Sequence, residues 1–139
     1  MTTNAKPTGT FNSVIQKTNG SGRVDLSIEA YDINGDNCYA KLEYVAWESC
    51  DFSSPLDPTL DESFGSIGAD FALPGIENDN EYQVGTSGAP ILTAGGSNSV
   101  NFDWLTQSDI PTANGYYCLR LTVHDSCDDQ LQSATTTVY

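Results

Sequence analysis

Positive charge is scarce in this chain. Its 139 residues carry five Lys and Arg against nineteen Asp and Glu, for a net charge of -14. Phosphate backbones are gripped by clustered Lys and Arg, so no nucleic acid partner is expected, and an anionic membrane surface is disfavoured for the same reason. Long apolar runs are absent too: none approaches the roughly 20 residues of a membrane span, so no membrane insertion is expected. The opening "MTTNAKPTGTFN" lacks the apolar core of a signal peptide, and Met1 reads as the start of a mature fragment or of a module taken from something longer.

Histidine occurs once, as His124, and the cysteines at 38, 50, 118 and 127 contain no C-x-x-C pair, which argues against zinc. No G-x-S-x-G elbow, phosphate-binding loop or cofactor fingerprint occurs. His124 reads as a strand surface residue. The adjacent acids Asp128 and Asp129 lack the deep cleft that two glycosidase carboxylates need. The chain is therefore read as non-catalytic.

Helical periodicity is also missing, and what replaces it is alternation. Thr, Ser, Asn, Asp and Gly dominate, residues that favour strands and turns. Residues 1–10, with Lys6-Pro7, read as a polar linker ahead of one domain at 11–139. "TFNSVIQKT" is the first expected strand, ended by the turn "NGSG". In "RVDLSIEAYD", Val24, Leu26, Ile28 and Ala30 alternate with polar residues, so one face is buried. "CYAKLEYVAW" follows the turn "INGDN", with Cys38, Ala40, Leu42 and Tyr44 on one face. "SVNFDWLT" alternates Val100, Phe102 and Trp104, "YYCLRLTVHD" alternates Leu119, Leu121 and Val123, and "LQSATTTVY" closes the chain. Residues 48–98 lose this regularity. Short strands are expected there at "NEYQVGT" and "PILTA", and one helical turn within "CDFSSPLDPTLDESFGSIGADF".

Three stretches, "GSGRVDLSIEAYDINGDNCYAKLEYV", "SVNFDWLTQSDIP" and "YYCLRLTVHDSCDD", carry a resemblance to the immunoglobulin-like modules of prokaryotic surface proteins. Those modules are similar to fibronectin type III, PKD and cadherin-like domains. The resemblance covers roughly residues 20–46 and 96–139 and leaves the middle unmatched. It implies an all-β, antiparallel immunoglobulin-like β-sandwich of about seven strands with a long irregular insertion. It also implies a repeated spacer, adhesive or matrix role, often strengthened by calcium.

In such sandwiches the strand at 38–46 lies antiparallel to the strand at 116–125. Antiparallel partners keep a nearly constant sum of residue numbers. Cys38 with Cys127 and Cys50 with Cys118 have nearly equal sums, whereas crossing them does not, so these two bridges are expected. Disulfides place the protein in an oxidising compartment, hence extracellular or on a cell surface.

The turn at 32–36 invites an EF-hand reading, since Asp32, Asn34 and Asp36 alternate and Glu43 is twelfth. That loop needs glycine sixth and helices on both sides. Asn37 is sixth, the glycine is Gly35, and both flanks alternate as strands, so Glu43 becomes a solvent-facing strand residue. In the sandwich arrangement Asp32, Asn34 and Asp36 instead face Asp125, Asp128 and Asp129. Crowded carboxylates there would be relieved by calcium. Among the aromatics, Trp104 reads as core. Trp47, Tyr39, Tyr82, Tyr116 and Tyr117 form the candidate sugar platform of an alternative reading, a carbohydrate-binding module with glycan partners. The leading expectation is a structural or adhesive module whose partners are neighbouring copies or other surface proteins, in a tandem array, filament or surface layer.

Overall fold

A computed structural model describes residues 6–17, 23–46, 50–63, 65–67, 73–94, 97–109, 117–125, 130 and 134–138. Two antiparallel sheets share one core. Strands β1 (Thr8–Gln16), β2 (Val24–Tyr31), β4 (Ser66–Ile67) and β5 (Asn98–Trp104) form a four-stranded sheet in the order β1-β2-β5-β4. Strands β3 (Tyr39–Ala46), β6 (Tyr117–His124) and β7 (Ala134–Val138) form a three-stranded sheet in the order β3-β6-β7.

Alternation sets which face is buried. Leu26, Ile28, Val100 and Phe102 from the first sheet and Leu42, Leu119, Leu121 and Val123 from the second are fully buried in a single cluster. Burying each such side chain contributes roughly 1.5–3 kcal/mol. Trp104 is fully buried as expected, its ring centroid 4.8 Å from that of Tyr44 on the facing sheet. Its indole N–H donates to Asp109 Oδ2 at 2.7 Å. That carboxylate also accepts from the Thr59 backbone N–H and the Thr59 hydroxyl, each at 2.7 Å. Asp109 ends α1 (Thr106–Asp109), the one helical segment among the described residues. The helical turn thus follows Trp104 instead of lying within the stretch from Cys50, where Asp109 can pin Trp104 to Thr59.

Three expectations need correction. β1 starts at Thr8, so the expected linker gives its last residues to a strand. Gly9 is what permits this: a Cβ there would collide with Val123, so only glycine lets β1 cross so close to β6. Residues 48–98 are no appendage either. Leu60, Val84 and Ile91 are buried in the common core. Isolated bridges pair Cys38 with Ile91, Ala40 with Val84 and Tyr44 with Leu56, covering the edge of β3 that would otherwise be open. "NEYQVGT" and "PILTA" contribute the Val84 and Ile91 bridges and not strands. Finally, Glu43 is buried, not solvent-facing. Its Oε1 accepts from Arg120 Nε at 2.9 Å, and the Arg120 guanidinium lies 4.6 Å from the Phe52 ring centroid.

Phe52 reaches that position because the chain doubles back after β3. Cys50, with a left-handed φ of 54°, bonds to Cys118 across a Cα–Cα distance of 5.3 Å. This is one of the two expected bridges. The other is corrected: Cys38 is a free, fully buried thiol. Its Sγ donates to the Asp36 carbonyl at 3.5 Å, and its backbone is tied to Ile91. The observed ladder between β3 and β6 begins with Tyr39 paired to His124, one residue beyond Cys38. Cys127 itself lies outside the described residues.

Candidate metal centre

The two ends of the β3–β6 pair are chemically unlike. One is closed by Cys50–Cys118. At the other, where Tyr39 faces His124, the turn after β2 meets the end of β6. Asp32 closes that turn. Its Oδ1 accepts from the Asn34 backbone N–H at 2.8 Å, and its carbonyl accepts from Gly35 N–H at 2.8 Å. Gly35 holds φ at 72°, a left-handed conformation suited to glycine. The chemistry of Asp, Asn and Gly therefore builds the turn locally. Longer-range contacts then aim it: the Thr93 hydroxyl donates to the Asp36 carbonyl at 2.9 Å.

Carboxylate oxygens of Asp32, Asp36 and Asp125 all lie within 4.8 Å of one another. Asp32 and Asp125 are buried, at 1% and 2% exposure. With both acids ionised, Asp32 Oδ2 is buried without a hydrogen-bond donor. A buried, unpartnered carboxylate oxygen beside two further acids is costly. Burial pushes the Asp32 carboxyl above its ordinary value of 3.8; the Asn34 N–H partly offsets this, and Asp125, first as a hydrogen-bond partner of the protonated acid and then as a charge, and Asp36 add to it.

The geometry fits a hard cation. Calcium–oxygen distances are about 2.3–2.6 Å, so two oxygens on opposite sides of one ion stand roughly 5 Å apart. Three carboxylates would supply part of a shell of about six to eight oxygens, with carbonyls and water completing it. An opening of about 350 Å³ lined by Tyr31, Asp32, Asn34, Gly35 and Thr93 gives solvent a route to this end. Burial, then Asp32, push the Cys38 thiol up to about 12, so it stays protonated beside these acids.

Of the six expected ligands, Asp32, Asp36 and Asp125 are brought together, and Asn34 sits on the rim of the same opening. Asp128 and Asp129 lie outside the described residues. Thr93 was missed, since nothing in "PILTA" signals that its hydroxyl secures a distant turn.

The expected aromatic platform does not form as one surface. Tyr39 and Tyr82 line one groove together with His124. Tyr117 sits at the opposite end of β6, with its ring centroid 6.3 Å from that of Tyr44. Trp47 and Tyr116 lie outside the described residues. No protein-family model matches the chain, and no curated protein or solved structure gives a significant match. Function is therefore read from the chain's own chemistry.

Proposed function

We propose that this chain is a non-catalytic, immunoglobulin-like module of an extracellular or cell-surface protein, serving as a structural or adhesive unit that calcium stabilises. The observation that carries the fold part is the strand order. β1-β2-β5-β4 against β3-β6-β7 corresponds to the ABED and CFG sheets of a constant-type immunoglobulin domain. That architecture hosts many roles, so the role itself is argued from the ends of the molecule.

β1 begins beside Tyr31, next to the acidic turn, and β7 ends beside Tyr117, next to the disulfide. A chain that enters one end of a module and leaves by the other suits tandem arrays, filaments or surface layers. The Cys50–Cys118 bridge favours an oxidising compartment. Among the described residues no helix is long and apolar enough to cross a membrane. Calcium rests on the Asp32, Asp36 and Asp125 oxygens and on the unpartnered Asp32 Oδ2.

The test is to export the full chain to an oxidising compartment and map its bridges by non-reducing peptide mass spectrometry. Size-exclusion chromatography and electron microscopy then follow in calcium. A linked Cys50–Cys118 peptide with monomers or end-to-end assemblies supports the reading. A protein that stays fully reduced after export and folds equally well contradicts it.

A further inference from the structure

We propose that the groove between Tyr39, Tyr82 and His124 binds a neutral pyranose at the end of an oligosaccharide. The groove measures about 350 Å³ and is separate from the opening over the acidic turn. Its floor is set by the β3–β6 ladder, which places Tyr39 directly opposite His124. Tyr82 arrives from the segment that covers β3, and its ring centroid lies 5.2 Å from that of His124, with the planes 32° apart.

This aromatic wall is held by backbone and not by its own packing alone. Next to Tyr82, the buried Gln83 side chain bonds both polar groups of Leu42: Nε2 donates to its carbonyl at 3.1 Å, and Oε1 accepts from its N–H at 3.0 Å. Val84 and Ala40 exchange two backbone hydrogen bonds, at 2.8 and 3.1 Å. Gly85, at φ 93°, has no room for a side chain: a Cβ there would stand 2.9 Å from the Cys38 carbonyl and 3.3 Å from the Tyr39 ring. The rings are thereby fixed before any ligand arrives, which lowers the entropic cost of binding.

The rim supplies the complementary chemistry. Glu81 is exposed, Thr86 lines the groove, and Lys41 Nζ lies 3.7 Å from Glu81 Oε1 and 5.7 Å from the Tyr82 ring centroid. An aromatic wall of two tyrosines and an imidazole, edged by carboxylate, hydroxyl and ammonium, matches a ligand with one C–H face and a ring of hydroxyls. A pyranose has that form. The net charge of -14 repels acidic sugars and nucleotides, leaving neutral ones.

The test is an NMR titration of the isotope-labelled full chain with neutral trisaccharides ending in glucose, mannose, galactose or N-acetylglucosamine. At least one should shift the Tyr39, Tyr82 and His124 resonances saturably. Tyr82→Ala should weaken that binding at least about tenfold, the loss of a stacking anchor, while Tyr82→Phe should keep most of it. Because Glu81 is exposed, Glu81→Gln should leave folding intact and weaken binding by a few fold. The proposal is overturned if no sugar shifts these resonances at about 10 mM, a concentration that reveals even millimolar dissociation constants. It is equally overturned if binding survives both Tyr82→Ala and Tyr39→Ala.

Discussion

The end of the β3–β6 pair that carries Cys118 and the end that carries Asp125 solve the same problem differently. At the Cys118 end the chain is crosslinked and the buried acids each have donors or cations as partners. Asp109 takes three hydrogen bonds from Trp104 and Thr59. Asp103, buried at the same end of β5, has Lys17 and Arg23 at 2.9 and 3.1 Å from Oδ2, while its Oδ1 is buried without a partner. At the Asp125 end there is a free thiol where a crosslink was expected, and acids face acids. One end pairs its buried acids with donors and cations; at the other, three acids stand within 4.8 Å of one another. An even cysteine count is thus a poor guide to how stability is shared between the two ends.

The largest expected effect breaks the crosslinked end. Trp104→Ala should cost about 3–5 kcal/mol, the range for deleting a buried tryptophan, measured by urea denaturation. It removes core packing against Tyr44 and strands the Asp109 carboxylate. Replacing the bridge by Cys50→Ser and Cys118→Ser together should cost about 4 kcal/mol by the chain-entropy estimate for a 68-residue separation. Asp109→Ala should cost about 1–3 kcal/mol, because Trp104 and Thr59 lose an acceptor while partly buried. None of these changes should alter the response to calcium, and a lost response would show that the two ends are coupled.

The acidic end answers to pH. The folded Asp32 carboxyl sits above its ordinary 3.8, so just above that value the folded chain binds more protons than the unfolded one. Without a divalent ion, this group's contribution to stability is present below 3.8 and is lost as pH rises through the raised value. Asp61 behaves oppositely. The Ser63 hydroxyl and N–H, then Arg23, hold its carboxyl low, so its contribution is present above the unfolded value and lost as pH falls. Comparing wild type with Asp32→Asn from pH 4 to 7 in EDTA separates them: the difference should shift in favour of the variant as pH rises. The smallest effect is at Cys38. Its buried thiol should resist a disulfide-exchange reagent at pH 8 until the protein unfolds, then react fully.

Much of the core was legible because period-two alternation reports burial directly. Val24, Leu26, Ile28, Val100, Phe102 and Trp104 are all buried, and all were marked by alternation alone. Glu43 broke the rule because it pairs with Arg120 on the neighbouring strand, whose guanidinium lies over the Phe52 ring. The bridges from Val84 and Ile91 to β3 carry no periodic signal, since isolated pairs leave no alternating run. At the site, Asp32 and Asp36 were legible as a turn. Their meeting with Asp125 depended on strand register, which the resemblance supplied. The Cys38–Cys127 pairing rested on the same register, and Cys38 is a free, buried thiol, while Cys127 lies outside the described residues.

The most direct test of the account is the melting temperature of the full chain at pH 7 in calcium and in EGTA, beside Asp32→Asn. A ligand at 100 times its dissociation constant adds about 2.7 kcal/mol to the native state. At roughly 3 °C per kcal/mol for a domain of this size, wild type should melt about 8 °C higher in calcium. Asp32→Asn, which keeps the size of the side chain and removes the charge, should show little of that rise. Equal melting temperatures for wild type in millimolar calcium and in EGTA would contradict the claim that the acidic end is built around a cation.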